Sequence, residues 1–441
     1  MNAIRESWRL AWPLILSNLS VPLLGMVDTA VVGHLDSPRY LGGVALGAMV
    51  MSVVYWLFGF LRMGTTALTA QAFGAADPVE TRAALARALL VAAGLGLLVG
   101  LLGPVLLAAS QRLFAPPPEV GAEFRLYLVI RLFGAPAALT NMVLLGWLLG
   151  LQDSRRPLYL MLATNGINAI LSIGLVFGLG LATAGVAAAT VIAEYAGLAL
   201  GLLMVRPAWR AQGGWPGRRA VLAAGRFRRL LAVNRELFLR SRMLEAAFVA
   251  FTALSSRQGT LVLAANAVLM NFFTAAAWGL DGFAHAAEAM IGRAVGARDR
   301  QGFRSAMRAG FGNAALLALG MTLAYAALGG WGVRLMTGLE AVRQQALMFL
   351  PYVVALPLVS VWAFLYDGVF FGATRTAELR NGMAVALALF GLSAALLVPA
   401  LGNHGLWLTL LLFLAGRAVI LGLIYRRAER NAPFVPVTEP A

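Results

Sequence analysis

The chain has 441 residues, 60% of them hydrophobic and only 12% charged, where a soluble domain carries about 25% charged residues. It has no cysteine, which excludes disulfide frameworks and thiolate metal sites, and its three histidines, His34, His285 and His404, are widely separated, which argues against a histidine metal cage. The net charge of +16 comes from arginine alone, clustered between apolar runs, which points to a membrane protein and away from nucleic acid.

A spanning helix needs about 20 mostly apolar residues. In chain order, candidate spans fall at about 8–33, 40–71, 86–110, 122–150, 157–180 and 184–205. An Arg-rich stretch at 206–235 follows, then spans at about 236–256, 261–292, 307–328, 345–372, 379–400 and 405–425. The expected fold class is all-α and polytopic, with 12 transmembrane helices. The first run, from Trp8 to Val32, is too long for a signal-peptide core and reads as the first span. The expected domains are 1–205, the linker 206–235 and 236–441.

Arginines crowd the connections at 72–85, 151–156, 206–235, 293–306 and 373–378 and the C-terminal tail. Fewer fall on the opposite side, where Arg39, Arg112, Arg125, Arg131, Arg257, Arg334 and Arg343 read as loop residues. The positive-inside bias therefore places both termini in the cytoplasm.

The halves repeat. Ala72-Phe-Gly74-Ala-Ala-Asp77 matches Ala294-Val-Gly296-Ala-Arg-Asp299 at a shift of 222 positions. Gly146-x-x-x-Gly150 matches Gly368-x-x-x-Gly372, and Arg82 matches Arg304, at the same shift. Six helices return a chain to its starting face, so the two repeats are parallel, related by an axis along the membrane normal.

Asp28 lies deep in the first span. A charged Asp at mid-bilayer costs about 2.5–3.5 kcal/mol on insertion scales, so such a residue either faces a cavity and serves ion or substrate binding or clamps two helices through hydrogen bonds to neighbouring Thr or Asn. Low dielectric favours its neutral form, which suits a proton carrier. Its repeat partner is Ala250, so the fold itself does not require the acid. Asn165, Asn168, Ser172 and Thr190 are intramembrane polar groups of the same half, able to form a hydrogen-bonded pocket with Asp28 or to serve helix packing. The second half offers Glu245, Asp281, Glu288 and Asp367. Asp281 and Glu288 share a helix face with His285 between them, either a proton relay or a structural network with Arg62 or Arg293 as counterion. Glu194 reads as structural. Pro13 and Pro22 are candidate bending points of the first helix. No P-loop, Ser/His/Asp or HExxH constellation is present, so ATP-driven transport and enzymatic catalysis are unsupported.

Several stretches resemble the multidrug and toxic compound extrusion (MATE) family, and most specifically its DNA-damage-inducible DinF branch. They are Val27-Asp28-Thr29-Ala-Val-Val-Gly33-His34-Leu35, Ala70-Gln-Ala-Phe-Gly74, Gly150-Leu-Gln152-Asp-Ser-Arg-Arg-Pro157, Leu280-Asp281-Gly282-Phe283 through Glu288, and Asp367-Gly368 through Arg375. The resemblance covers nearly the whole chain in motif order. It implies a V-shaped pair of six-helix bundles exporting drugs or toxins against H⁺ or Na⁺. It places the first-helix acid on Asp28, the bending proline on Pro13, and the helix-five Asn and helix-six Thr on Asn168 and Thr190. Some members carry a second Asp four residues after that Asn; Ser172 stands there instead. Loss of a carboxylate favours protons over Na⁺, since hard cations prefer charged oxygens. Glu245 and Asp367 resemble second-half acids that couple cations in another branch, which keeps Na⁺ open.

The expected activity is proton-coupled antiport of amphipathic, often cationic compounds by alternating access, from the bacterial inner membrane, by a monomer with no cofactor and no bound metal. Two alternatives are a Na⁺-coupled exporter of the same class and a flippase of lipid-linked precursors.

Overall fold

The computed structural model describes residues 2–435, apart from the side chains of residues 21–24 and 26. Among them the chain is helical, with no strand. In order the helices are α1 Ala3–Gly33, α2 Pro38–Leu57, α3 Phe60–Gly74, α4 Pro78–Leu101, α5 Gly103–Phe114, α6 Pro118–Leu132, α7 Ala135–Gly150, α8 Arg155–Ile173, α9 Ala182–Ala211 and α10 Arg218–Val221. Then come α11 Ala224–Ser256, α12 Thr260–Gly296, α13 Arg300–Met336, α14 Glu340–Gly372, α15 Thr376–Leu401 and α16 Asn403–Asn431. A π-helical turn, Gly174–Gly178, continues α8.

Nine helical stretches among the described residues are long and apolar enough to cross a membrane. α6 and α7, bent by 50° at a short break, make a tenth. α1 and α11, at 31 and 33 residues, have the length of the other two. α11 is the least apolar because it carries Arg226, Arg228, Arg229, Arg235, Arg240 and Arg242 together with Glu236 and Glu245. The protein is a multi-pass membrane protein of two six-helix repeats.

Several helices outrun the apolar segments that betray them. α13 starts at Arg300, where the Asp299 carboxylate accepts from the Gly302 amide at 2.8 Å. α4 starts the same way, with Asp77 accepting from the Glu80 amide at 2.8 Å. Such N-caps satisfy amides that the helix leaves unpaired. The apolar run 40–71 is two helices separated at Phe58 and Gly59. α9 runs on to Ala211 and α11 begins at Ala224, so helix claims much of the Arg-rich stretch.

The duplication extends to packing. Gly146 and Gly150 press against the carbonyls of Arg62 and Thr66, and a Cβ on either would lie under 3.0 Å from them. Shifted by 222 positions, Gly368 and Gly372 press in the same way against the carbonyls of Ala284 and Glu288. Small residues at this spacing let helix backbones close up in lipid. The left-handed residues repeat as well: Ala76 (φ 52°) matches Arg298 (φ 53°), and Gln152 (φ 65°) matches Thr374 (φ 55°).

The chain divides into two compact units. The first comprises Leu16–Phe73 and Asp77–Leu231; the second comprises Met1–Ile15, Gly74–Ala76 and Ala232–Ala441. The start of α1 packs within the second unit. There Glu6 pairs with Arg293 at 2.8 Å, Asn313 donates to the Ile4 carbonyl at 3.1 Å, and Trp8 meets the Phe283 ring edge-on. Arg293 therefore serves Glu6.

Candidate functional site

In the first unit, α1 and α8 run side by side and meet through polar groups. Asn165 donates to Ser20 Oγ at 3.0 Å. Two turns further on, Ser172 Oγ lies 3.1 Å from Asp28 Oδ1 and 3.3 Å from Asn168 Oδ1. Asn168, Ser172 and Asn165 occupy one stripe of α8, as spacings of three and four require. Asn168 Nδ2 then donates to Thr190 Oγ1 of α9 at 2.8 Å, and Thr190 donates to the Val186 carbonyl at 3.0 Å. The structure thus joins Asp28, Ser172, Asn168 and Thr190 into one hydrogen-bonded chain across three helices, with Asn165 beside it.

The chain is set in apolar surroundings. Val31, Val32, Val176, Val186 and Tyr127 form a buried cluster there, with Val27 packed on it. Asn168 and Ser172 are almost wholly buried. The π-helical turn begins two residues after Ser172; such turns insert an extra residue and often mark functional sites. α1 is an unbroken helix through residues 13 and 22. Pro13 is buried, while the side chain of Pro22 lies outside the described residues.

One turn beyond Thr190, α9 carries Glu194, which accepts from Arg131 Nη1 at 2.9 Å and from the Tyr55 hydroxyl at 3.2 Å. Arg131 is buried within α6, and its guanidinium lies 5.5 Å from the centre of the Tyr55 ring. This corrects the expectation that Arg131 sits on a loop. Arg131 and Tyr127 also lie within electrostatic reach of Asp28, so both acids belong to one charged neighbourhood. The bend between α6 and α7 falls at Gly134, where a Cβ would collide with Glu194 Oε2. That oxygen accepts no hydrogen bond among the described residues.

The second-unit acids are held differently. Asp367 of α14 is gripped by Arg240 of α11 and Arg417 of α16, all three buried. Glu245 pairs with Arg242 one turn away. Glu288 lies 3.6 Å from His285 Nδ1. Asp281 is half-buried on α12, within electrostatic reach of Arg417. Where the first unit has Asp28, the repeat position Ala250 packs against a large apolar core that includes Phe251, Leu269 and Trp407. Among the described residues no three His, Asp or Glu side chains converge as a metal site.

A chain of hydroxyl, amide and carboxyl groups offers donors and acceptors in one line across three helices. The family model MatE matches residues 13–174 and 239–398, covering both repeats. The chain is 47% identical over 431 residues to DNA damage-inducible protein F of Escherichia coli K12, spanning 98% of this chain and 94% of that protein. It is 30% identical over 318 residues to a probable multidrug resistance protein NorM of Caulobacter vibrioides, covering 69% of this chain and 66% of that one. A solved MATE transporter from Vibrio cholerae shares the fold with a TM-score of 0.87 at 21% identity, covering 98% of each chain.

Proposed function

The chain belongs to the MatE family of multidrug efflux transporters, and we propose that it exports amphipathic, cationic compounds in exchange for protons, with Asp28 as the group whose charge alternates.

The observation that carries this reading is the position of one hydroxyl. Ser172 has a single proton and two oxygens within reach, Asp28 Oδ1 and Asn168 Oδ1. A hydroxyl donates once and accepts twice. When Asp28 is ionised, Ser172 donates to it and Asn168 Oδ1 loses that donor. When Asp28 is protonated, its own O–H donates to Ser172, which is then free to donate to Asn168. Protonating one carboxyl therefore reverses the donor direction between α1 and α8 and lets Ser172 donate to Asn168 along α8. Asn168 and Ser172 are almost wholly buried beside apolar side chains, which makes an unsatisfied group there costly.

An aspartate in this setting prefers a bound organic cation; a neutral carboxyl does not. Proton entry weakens cation binding, and cation binding displaces the proton, by equal factors. Exchange then follows when the two occupancies favour different transport states.

Two features support protons over Na⁺. Na⁺ wants several charged or carbonyl oxygens, and Ser172 supplies a hydroxyl where a second carboxylate would serve. In the second unit, Asp367 and Glu245 are already neutralised by arginine. A sodium ion would have to displace a guanidinium. Because Arg240 and Arg417 are engaged by Asp367, they are also poorly placed to hold a phosphate, which speaks for export of cations over flipping of a lipid-linked precursor. The arginine bias supports an orientation with both termini in the cytoplasm.

The test is efflux from proteoliposomes under an imposed ΔpH or an imposed Na⁺ gradient, with a panel of cationic dyes. Efflux driven by ΔpH without Na⁺ is expected. Full efflux from Na⁺ alone at zero ΔpH overturns the reading.

A further inference from the structure

The connection after α9 folds back onto the first unit and roofs a groove. One wall is a stripe of α4, with Leu85, Leu89 and Leu90; the other is a stripe of α9, with Leu202, Val205 and Trp209; the roof is Trp215, Val221 and Leu222. The cavity measures about 630 Å³. Two cations line it, Arg206 and Arg218, and no carboxylate does.

The roof is fixed in place. Arg82 donates to the carbonyls of Pro78 and Gly214, at 2.8 and 3.0 Å, and Arg87 donates to that of Ala220 at 2.7 Å. Gly213 has φ 103°, and a Cβ there would lie 2.7 Å from Arg82 Nη1, so the turn needs glycine. Trp147, Trp209 and Trp215 form a ladder with ring centres 6.2 and 6.3 Å apart, footed by the Trp147 indole donating to the Thr81 carbonyl. The groove is therefore preformed, yet Trp215 and Leu222 remain more than 60% exposed. The guanidinium groups of Arg206 and Arg218 have no hydrogen bond or ion pair among the described residues, and the nearby Glu80 already serves Arg87 and Arg226.

We propose that this groove binds an acidic phospholipid, its acyl chain between α4 and α9 and its phosphate against Arg206 and Arg218. An apolar slot ending in tryptophans and unpaired arginines, at the terminus of membrane helices, matches a lipid end to end. The chain fills the Leu and Val walls, the indoles sit at headgroup level, and the cations meet the phosphate. A neutral lipid leaves the two arginines unpaired. A cationic compound is repelled by them. A free phosphate leaves the apolar walls uncovered.

The experiment uses the full chain in phosphatidylcholine nanodiscs doped with phosphatidylglycerol or phosphatidylcholine brominated on the acyl chains. Tryptophan quenching is read, and the groove signal is isolated by difference from Trp209→Phe/Trp215→Phe. Brominated phosphatidylglycerol should quench the groove signal at about tenfold lower mole fraction than brominated phosphatidylcholine. The variant Arg206→Gln/Arg218→Gln, whose changed side chains are exposed, should fold normally and lose that preference while keeping quenching by phosphatidylcholine. Equal quenching by the two lipids in the wild type overturns the proposal, as does a preference that survives in the double variant. Soluble glycerol phosphate should not relieve the quenching. Displacement of the lipid by it, or by a cationic dye, would show that the groove recognises a phosphate or a transported compound instead.

Discussion

Ser172 holds its hydroxyl 3.1 Å from Asp28 Oδ1, and its reach to Asn168 on the other side makes it the hinge of the first-unit network. A hydrogen bond to a charged group contributes about 1.5–3 kcal/mol. Ser172→Ala should therefore lower ΔpH-driven efflux by about tenfold or more at unchanged expression, and Ser172→Thr should restore most of it. Rates in proteoliposomes at matched protein content decide the matter. Equal rates for Ala and wild type would remove the hydroxyl from the account.

The buried pair Arg131–Glu194 makes a stability prediction. Removing one partner of a buried ion pair costs about 3–5 kcal/mol, because the other charge is left uncompensated, whereas replacing both with apolar groups is often neutral. Arg131→Met should lower the thermal stability of the detergent-purified protein sharply. Arg131→Met/Glu194→Leu should recover most of the loss. If the double variant is as unstable as the sum of the singles, the pair does not interact as described.

The clamp on Asp367 separates a structural acid from a coupling acid. Asp367→Asn leaves Arg240 and Arg417 facing a neutral amide, so it should reduce the folded yield. The protein that does fold should still exchange against protons and remain indifferent to Na⁺. Normal yield with loss of coupling would move the ion site into the second unit.

The duplicated glycines give a packing prediction. Gly372→Ala places a methyl against the Glu288 carbonyl and should cost about 1–3 kcal/mol through overpacking. Gly391→Ala, with nothing within 4 Å of the added carbon, should be neutral or slightly stabilising. Thermal denaturation in detergent compares them. Equal melting temperatures would show that α12 and α14 separate at little cost.

These contrasts show what the sequence makes legible. The spans announce themselves by apolar length, the duplication by glycines at a constant shift, and Asp28 by the rarity of a lone acid in lipid. The polar stripe of α8 follows from spacing alone. Other features are hidden because their partners lie far apart in sequence. Arg240 and Arg417 reach Asp367 from 127 and 50 positions away. Arg131 lies inside the apolar run 122–150, and hydropathy alone cannot separate a loop arginine from one in the middle of a span bent at Gly134. Helix starts at Pro78 and Arg300 are polar turns, which apolar windows miss though Asp77 and Asp299 mark them. The roof built by residues 212–223 depends on Arg82 and Arg87 turning toward backbone carbonyls, which no periodicity foretells.

The most direct test of the central claim is ΔpH-driven efflux by Asp28→Asn at matched expression in proteoliposomes. Asparagine keeps the volume and still hydrogen-bonds Ser172, but its charge cannot alternate. The account predicts a protein that inserts and folds normally yet loses proton-coupled exchange. Wild-type efflux by Asp28→Asn would contradict it, leaving Asp28 as a clamp between α1 and α8.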